Sequence, residues 1–475
     1  MTNFSKIGFI MATLGSSIGL GHIWRFPTMA GQNGGAAFIL LFLIISVAIG
    51  VSMLIAEMLI GNRTRTNAQD AFYILDESKH KKWHLVGLTI IGGPLILTFY
   101  CIVLGWVVYY LAIMSLHLPD NMTDSKLLFA HLKQNFTAQI ISFAVVIILT
   151  AYFVAKGVKN GIEKLNFVLM PLLFIIFIGL LIYAMTLEHF SDSFHFMFAP
   201  DFSKITAKTL IDSMGQVFFS LSLGIGIVVT YAAFTDEKQN LFNAALWVLI
   251  PGIIISIIAG LTIFTFVFEY GTKADVGEGE GLVFITLPVM FGKMGTLGSV
   301  ICMFFMVGLA FAGISSTISL LEPSVKWLED KTGKNRAFLS WVMSGIIFIV
   351  GSVLILSLDE NHDELSFGGK SLFVWADWIS ANILMTLGGI ITALFVGFAI
   401  KTKHLREWTK SYLSPLEFTF WLFAIRILAP LMVGAIFIYQ IYTLIYPLKT
   451  ETAQIEINTQ KQESRQDYIV NFKLV

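Results

Sequence analysis

Long apolar stretches separated by short polar ones run through the whole chain, and their lengths predict membrane spans rather than core helices of a soluble domain. An α-helix rises about 1.5 Å per residue, so about 20 apolar residues cross about 30 Å of hydrocarbon. Stretches long enough to span lie near 7–30, 36–60, 86–115, 138–155, 163–186, 209–233, 243–268, 295–323, 338–357, 373–400 and 417–446. We number them α1 to α11 in chain order. The run 282–291, LVFITLPVMF, is too short to cross and carries a proline, so it reads as part of a folded external loop. The predicted fold class is all-α and polytopic. One transmembrane domain covers 1–446 and a polar tail covers 447–475.

Composition fits a chain whose solvent is a lipid bilayer. Of 475 residues, 56% are hydrophobic and 13% charged. The 31 basic and 31 acidic side chains cancel, so neither nucleic-acid binding nor a polybasic surface mode is indicated. Cys101 and Cys302 fall inside spans, which excludes a disulfide framework as the organising feature. The start, MTNFSKIGF, lacks the pattern of a cleaved leader, and α1 is expected to be retained.

Placement of lysine and arginine sets the expected orientation. With the N-terminus cytoplasmic, the inside segments carry Lys6, the 63–82 cluster, Lys156, Lys159, Lys164, Lys238, the 326–336 cluster and the 401–410 cluster. The outside loops between spans carry Lys126, Lys133, Lys204, Lys208, Lys273, Lys293 and Lys370, together with the acidic stretches DVGEGE and LDENHDEL. Eleven spans then place the C-terminus outside.

Polar residues at membrane depth mark the candidate chemistry. Residues 15–27, GSSIGLGHIWRFP, put three glycines, two serines, a histidine, an arginine and a proline into α1. Irregular backbone at that depth is viable only where protein or a cavity satisfies its N–H and C=O groups. Residues 215–226, GQVFFSLSLGIG, repeat the theme in α6. Gly15 and Gly19 taken alone read as a small-residue packing face, and the serines of AFAGISST at 310–317 as hydroxyls bonded back to their own helix. Two interrupted spans five apart instead point to a 5+5 inverted repeat, about 6–186 and 209–400, with a site at the midplane and α11 as an extra helix.

Those segments resemble the neurotransmitter:sodium symporter family, in particular its bacterial eleven-helix amino-acid transporters. The resemblance runs from Lys6 to Tyr446 and is carried by GSSIGLGHIWRFP with GQNGGAAF, GQVFFSLSLGIG with TYAAF, FYCIVLGW, FAGISSTISLLEP and the Gly161-to-Pro171 spacing in α5. Discontinuous helices in this family are a known example, so that architecture is carried over by resemblance. It implies a sodium-coupled symporter that imports a hydrophobic amino acid by alternating access, and no enzyme.

The resemblance implies site residues in turn. A sodium ion would lie between α1 and α8, on the carbonyls of Gly15, Ile18 and Ala312 and the hydroxyls of Ser315 and Ser316. The amino-acid carboxylate would meet the α1 backbone near Ser16, Leu20 and Gly21 with the hydroxyl of Tyr100, and the ammonium would face carbonyls of Phe219 and Ser222. Ile96, Val103, Ile225, Ser316 and Leu320 would line the side-chain pocket, with Phe219 as an aromatic lid. Arg25 and Asp377 match an outer gate pair that Gln216 could bridge, and Asp330 the acidic member of a cytoplasmic gate whose basic partner is missing, so that inward closure is either looser or served by Lys6.

Departures from the family pattern fall in one place. His22 and Gly252 stand where a second sodium would find two asparagine side chains, although Ser220 keeps the hydroxyl and Ser17 a carbonyl. An imidazole offers one lone pair when neutral and none when protonated. His22 either pairs, when protonated, with the substrate carboxylate in place of that ion, or fills space and bonds a carbonyl. Phe42 replaces the tyrosine of the adjoining chloride site while Gln216, Ser220 and Ser256 remain, so the resemblance stops short of implying chloride. Glu57 and Arg426 read as residues near span ends that snorkel or cap. Competing readings are a channel or a solute receptor on the same fold, or a symporter for an amine or another non-amino-acid solute. An ATP-driven pump is disfavoured because GGKS at 368–371 lacks the upstream glycine of a phosphate loop.

Overall fold

A computed structural model of the chain describes residues 4–78, 81–114, 117–271, 279–359 and 361–446. The C-terminal segment 447–475, read above as a polar tail, lies outside them. Among the described residues, nine uninterrupted apolar helices fall where nine of the predicted spans stand: α2 (Ala36–Thr64), α3 (Lys82–Met114), α4 (Phe136–Ala155), α5 (Val158–Ala184), α7 (Leu241–Tyr270), α8 (Thr296–Thr332), α9 (Arg336–Leu356), α10 (Leu372–Ala399) and α11 (Pro415–Ile445). The other two spans are broken. In α1, Lys6–Ser17 and Gly21–Gln32 meet at 51°. In α6, Ala207–Ser220 and Ile227–Ala232 flank an unwound stretch.

Local chemistry explains both breaks. Ile18 leaves the helical region at φ −76°, ψ 89°, directly after the small polar pair Ser16 and Ser17. In α6 the chain passes through left-handed backbone at Ser222 (φ 53°), Gly224 (φ 81°) and Gly226 (φ 74°), which no helix can continue through. Gly224 is required there twice over, since a β-carbon would also run into the Met385 carbonyl of α10. Gly224→Ala is therefore expected to destabilise by about 1–2 kcal/mol from the left-handed strain and about 1–3 kcal/mol from overpacking. The measurement is a thermal melt of the purified protein in detergent, where the variant melts well below the parent.

The broken helices sit inside and the regular ones surround them. Ile18, Ile23, Val217, Leu223 and Val228 are buried, whereas Ile175 (64% exposed), Ile349 (67%) and Ile438 (68%) stand out from α5, α9 and α11. Bulky aliphatic side chains on an outer face are what hydrocarbon tolerates and water does not. The stretch 282–291, read as part of a folded external loop too short to cross, is helical. Leu282–Lys293 forms a short apolar helix, with Phe284 fully buried among Trp106, Tyr110 and Phe129 and its carbonyl accepting from the Tyr110 hydroxyl at 2.9 Å. It is too short to cross, and its Pro288 is accommodated in the first turn of the α-helical part Leu287–Lys293.

Candidate transport site

The two breaks satisfy each other. Ser17 Oγ donates to the Ser220 carbonyl at 2.8 Å and Ser222 Oγ to the Ser16 carbonyl at 3.0 Å, so hydroxyls from each broken helix cap carbonyls of the other. The freed N–H of Leu20 donates to the Tyr100 hydroxyl of α3 at 3.1 Å, beside Gly19 where the Ser316 hydroxyl of α8 also lies. Gln216 donates to the Gly21 carbonyl at 2.7 Å and to Ser220 Oγ at 2.9 Å. Backbone that would be untenable in lipid is thus stabilised by side chains from both broken spans and from α3.

A small cavity of about 30 Å³ lies between the breaks. It is lined by Ser16, Ser17, Gly19, Gly21, Ile96, Tyr100, Phe219, Ser222, Ile225, Ser316, Leu320 and Met385, which unites polar main chain and hydroxyls with an aliphatic wall. Phe219, Tyr100 and Gly21 also line a vestibule of about 270 Å³ that carries Arg25, Asp377, Glu280, Trp24, Trp106 and Phe373. Phe219 therefore stands between the two spaces. Arg25 holds it there, with the guanidinium 4.4 Å above the ring.

The residues expected to hold sodium lie on the packed faces of α1 and α8. Ile18, Ala312 and Ser315 are fully buried and Ser316 nearly so. Ser315 Oγ donates to the Ala312 carbonyl at 2.8 Å, which leaves the hydroxyl's lone pairs free. Gly19 brings the break against α8 so tightly that a β-carbon there would collide with Ser316 Oγ and stand 2.8 Å from the Tyr100 hydroxyl.

A model of the sodium:neurotransmitter symporter family matches residues 2–126 and 117–454. The chain belongs to that family. The sodium-dependent transporter YhdH of Bacillus subtilis is 34% identical over 439 residues, covering 91% of this chain and 96% of that one. A sodium-dependent transporter of Haemophilus influenzae is 32% identical over 449 residues, covering 92% and 97%. The crystal structure of MhsT in complex with L-phenylalanine superposes with a TM-score of 0.83 at 33% identity, over 92% of this chain and 99% of that one. This protein is a multi-pass, sodium-dependent symporter and not an enzyme.

The symporter's fold places the expected residues unevenly. Ser16, Ser17, Gly21, Ile96, Tyr100, Phe219, Ser222, Ile225, Ser316 and Leu320 line the central cavity, while Leu20 and Val103 line the vestibule. Ser220 lies behind the cavity as the acceptor for Gln216. Three readings are corrected. His22 does not line the cavity; its ring is 1% exposed and turned to α7, where a β-carbon on Gly252 would stand 2.8 Å from Nε2. Gln216 does not bridge Arg25 to Asp377: its Nε2 donates to the Gly21 carbonyl and Ser220 Oγ, and its Oε1 is buried with no partner among the described residues. Asp330 accepts from Lys326 at 2.5 Å and Asn67 at 2.9 Å, so its basic partner comes from its own helix rather than from Lys6.

Several working residues escaped the sequence. Glu57 lies well inside α2, which runs on to Thr64, and it is 1% exposed. Its Oε1 accepts from Gly224 N at 2.7 Å, tying α2 to the break in α6. A carboxylate within a span was the available signal, and reading it as a span end hid it. Arg426 does cap, donating to the Gly397 carbonyl of α10 at 2.6 Å. At the end opposite the vestibule, Ser5 at the start of α1 donates from Oγ to Glu163 Oε1 of α5 at 2.7 Å and from N to Oε2 at 3.3 Å. Phe4 N donates to the Phe234 carbonyl at 3.0 Å beside them.

Proposed function

We propose that this symporter imports a hydrophobic amino acid together with one sodium ion, with the lysine- and arginine-rich end of the bundle in the cytoplasm. The observation that carries the reading is the composition of the central cavity. Hydroxyls and freed backbone of the two breaks adjoin Ile96, Ile225, Leu320 and Met385. In this reading the N–H groups at the α1 break and Tyr100 receive the carboxylate, since helix ends with unsatisfied N–H groups favour anions. The carbonyls around Phe219 and Ser222 receive the ammonium. The likeness to MhsT, whose structure contains L-phenylalanine, supports an apolar side chain.

The cavity's volume corresponds to about two water molecules, so an amino acid enters only as Phe219 swings toward the vestibule. Access then alternates. The vestibule stands on the outer side, and the inner side is sealed by the Ser5–Glu163 and Phe4–Phe234 contacts.

One sodium follows from the donor sets. The α1/α8 group supplies three carbonyls and two hydroxyls, the hard oxygens an alkali cation needs. At the second position His22 fills the space that Gly252 leaves, and neither side chain offers oxygen. Phe42 packs on Phe26 at 5.1 Å with no hydroxyl for an anion, so uptake is expected to proceed without chloride.

A thermal-shift screen of the twenty amino acids with and without sodium tests substrate and ion together, because a ligand that binds only the native state raises its stability. Hydrophobic amino acids should stabilise the protein in sodium alone, with a Hill slope near one for sodium. A slope near two would restore the second site. In proteoliposomes, accumulation should collapse with the sodium gradient; flux indifferent to that gradient would mean a pore.

A further inference from the structure

Asn166 of α5 is fully buried against the proposed sodium site, and half of its side chain is unaccounted for. Its Nδ2 donates to the Ile162 carbonyl at 2.9 Å, within the π-turn Val158–Glu163 that opens α5. Its Oδ1 has no donor among the described residues. Native proteins leave few buried oxygens in that condition, and each calls for a partner. The oxygen is aimed at α1, where a β-carbon on Gly15 would overlap it. Helix α1 is regular from Lys6 to Ser17, so its N–H groups at that level are committed within the helix and cannot serve. The oxygen instead abuts Gly15, whose carbonyl is one of the proposed sodium ligands, and a cation shared with that carbonyl would supply the partner it lacks.

We propose that Asn166 is the α5 ligand of the sodium site, its Oδ1 adding an oxygen from a third helix to those of Gly15, Ile18, Ala312, Ser315 and Ser316. The inference rests on the α1/α8 sodium reading above. A neutral amide suits a monovalent hard cation, because it adds an oxygen without the second negative charge that would favour a divalent ion or a proton. The absence of a side chain at Gly15 is what lets α5 come near enough to contribute. Sodium would then join α5 to α1 and α8, and the π-turn of α5 would be steadied by the ion through the Asn166–Ile162 bond.

The test uses sodium alone as the probe, on the full-length purified protein without amino acid, with choline replacing sodium at constant ionic strength. Thermal stabilisation is titrated for the parent, for Asn166→Leu, which keeps the bulk but has no oxygen, and for Ser315→Ala. Half-saturating sodium should rise about tenfold or more in Asn166→Leu, the range seen when residues supporting a metal site are lost, while its melting temperature in choline stays near the parent's. Should the leucine variant not fold, Asn166→Ala is read against the same threshold. A parent that shows no sodium response sinks the α1/α8 reading itself. A parent that responds and a Ser315→Ala that does not, beside an Asn166 variant titrating within about twofold of the parent, overturn this inference alone.

Discussion

Gly19→Ala should all but abolish sodium-driven uptake while leaving the protein folded. The added carbon would be driven into Ser316 Oγ and held 2.8 Å from the Tyr100 hydroxyl, and those two groups stand in the proposed sodium and carboxylate sites respectively. Relief requires α1 to move off α8 or both hydroxyls to turn away. Overpacking of this kind costs about 1–3 kcal/mol, which at about 1.4 kcal/mol per tenfold weakens binding about 5- to 140-fold. Both ligands share the displaced groups, so the half-saturating concentrations of sodium and amino acid should rise together. Uptake in proteoliposomes measures the loss, and an elution profile like the parent's shows that the fold survives. Uptake within a few-fold of the parent would mean that α1 and α8 are not in contact here during transport.

The second large effect belongs to Glu57. Its carboxylate holds the Gly224 N–H at the centre of the α6 break, deep in the bundle. Glu57→Leu leaves that N–H buried without an acceptor, at a cost of about 1–3 kcal/mol. The unwound turn loses its attachment to α2, so the carbonyls of Phe219 and Ser222 lose their registration with the break in α1. Transport should fall to background and the melting temperature should drop. Glu57→Gln keeps an oxygen acceptor and should recover most of the stability and a measurable part of the uptake. Equal damage from leucine and glutamine would show that charge, rather than the hydrogen bond, is what the site uses.

The same contrast between position and partner runs through the rest of the site. Arg25 and Asp377 were legible because ionised groups in a span are costly and stand out against an apolar background. Their arrangement was not. Arg25 lies over Phe219, and the amide Nε2 of Gln216, which the sequence offered as a bridge, donates to the α1 backbone and Ser220 instead. The Ser5–Glu163 contact was invisible because a serine before a helix and a glutamate after a glycine are ordinary capping residues until the chain brings α1 and α5 side by side.

By itself the sequence determined which stretches cross the bilayer and which two of them are broken. Hydrocarbon imposes a length on every apolar run, and it tolerates glycine and serine clusters only where the backbone finds partners, so both features are written locally. The motifs also named nearly every residue that lines the cavity. Only the tertiary structure decided where those side chains point and what they touch: His22 turned into the gap at Gly252, Glu57 bound to Gly224, and Asn166 aimed at Gly15. Each of these depends on how closely two helices distant in the chain approach, and that separation is set by the packing of the whole bundle rather than by any neighbouring residues.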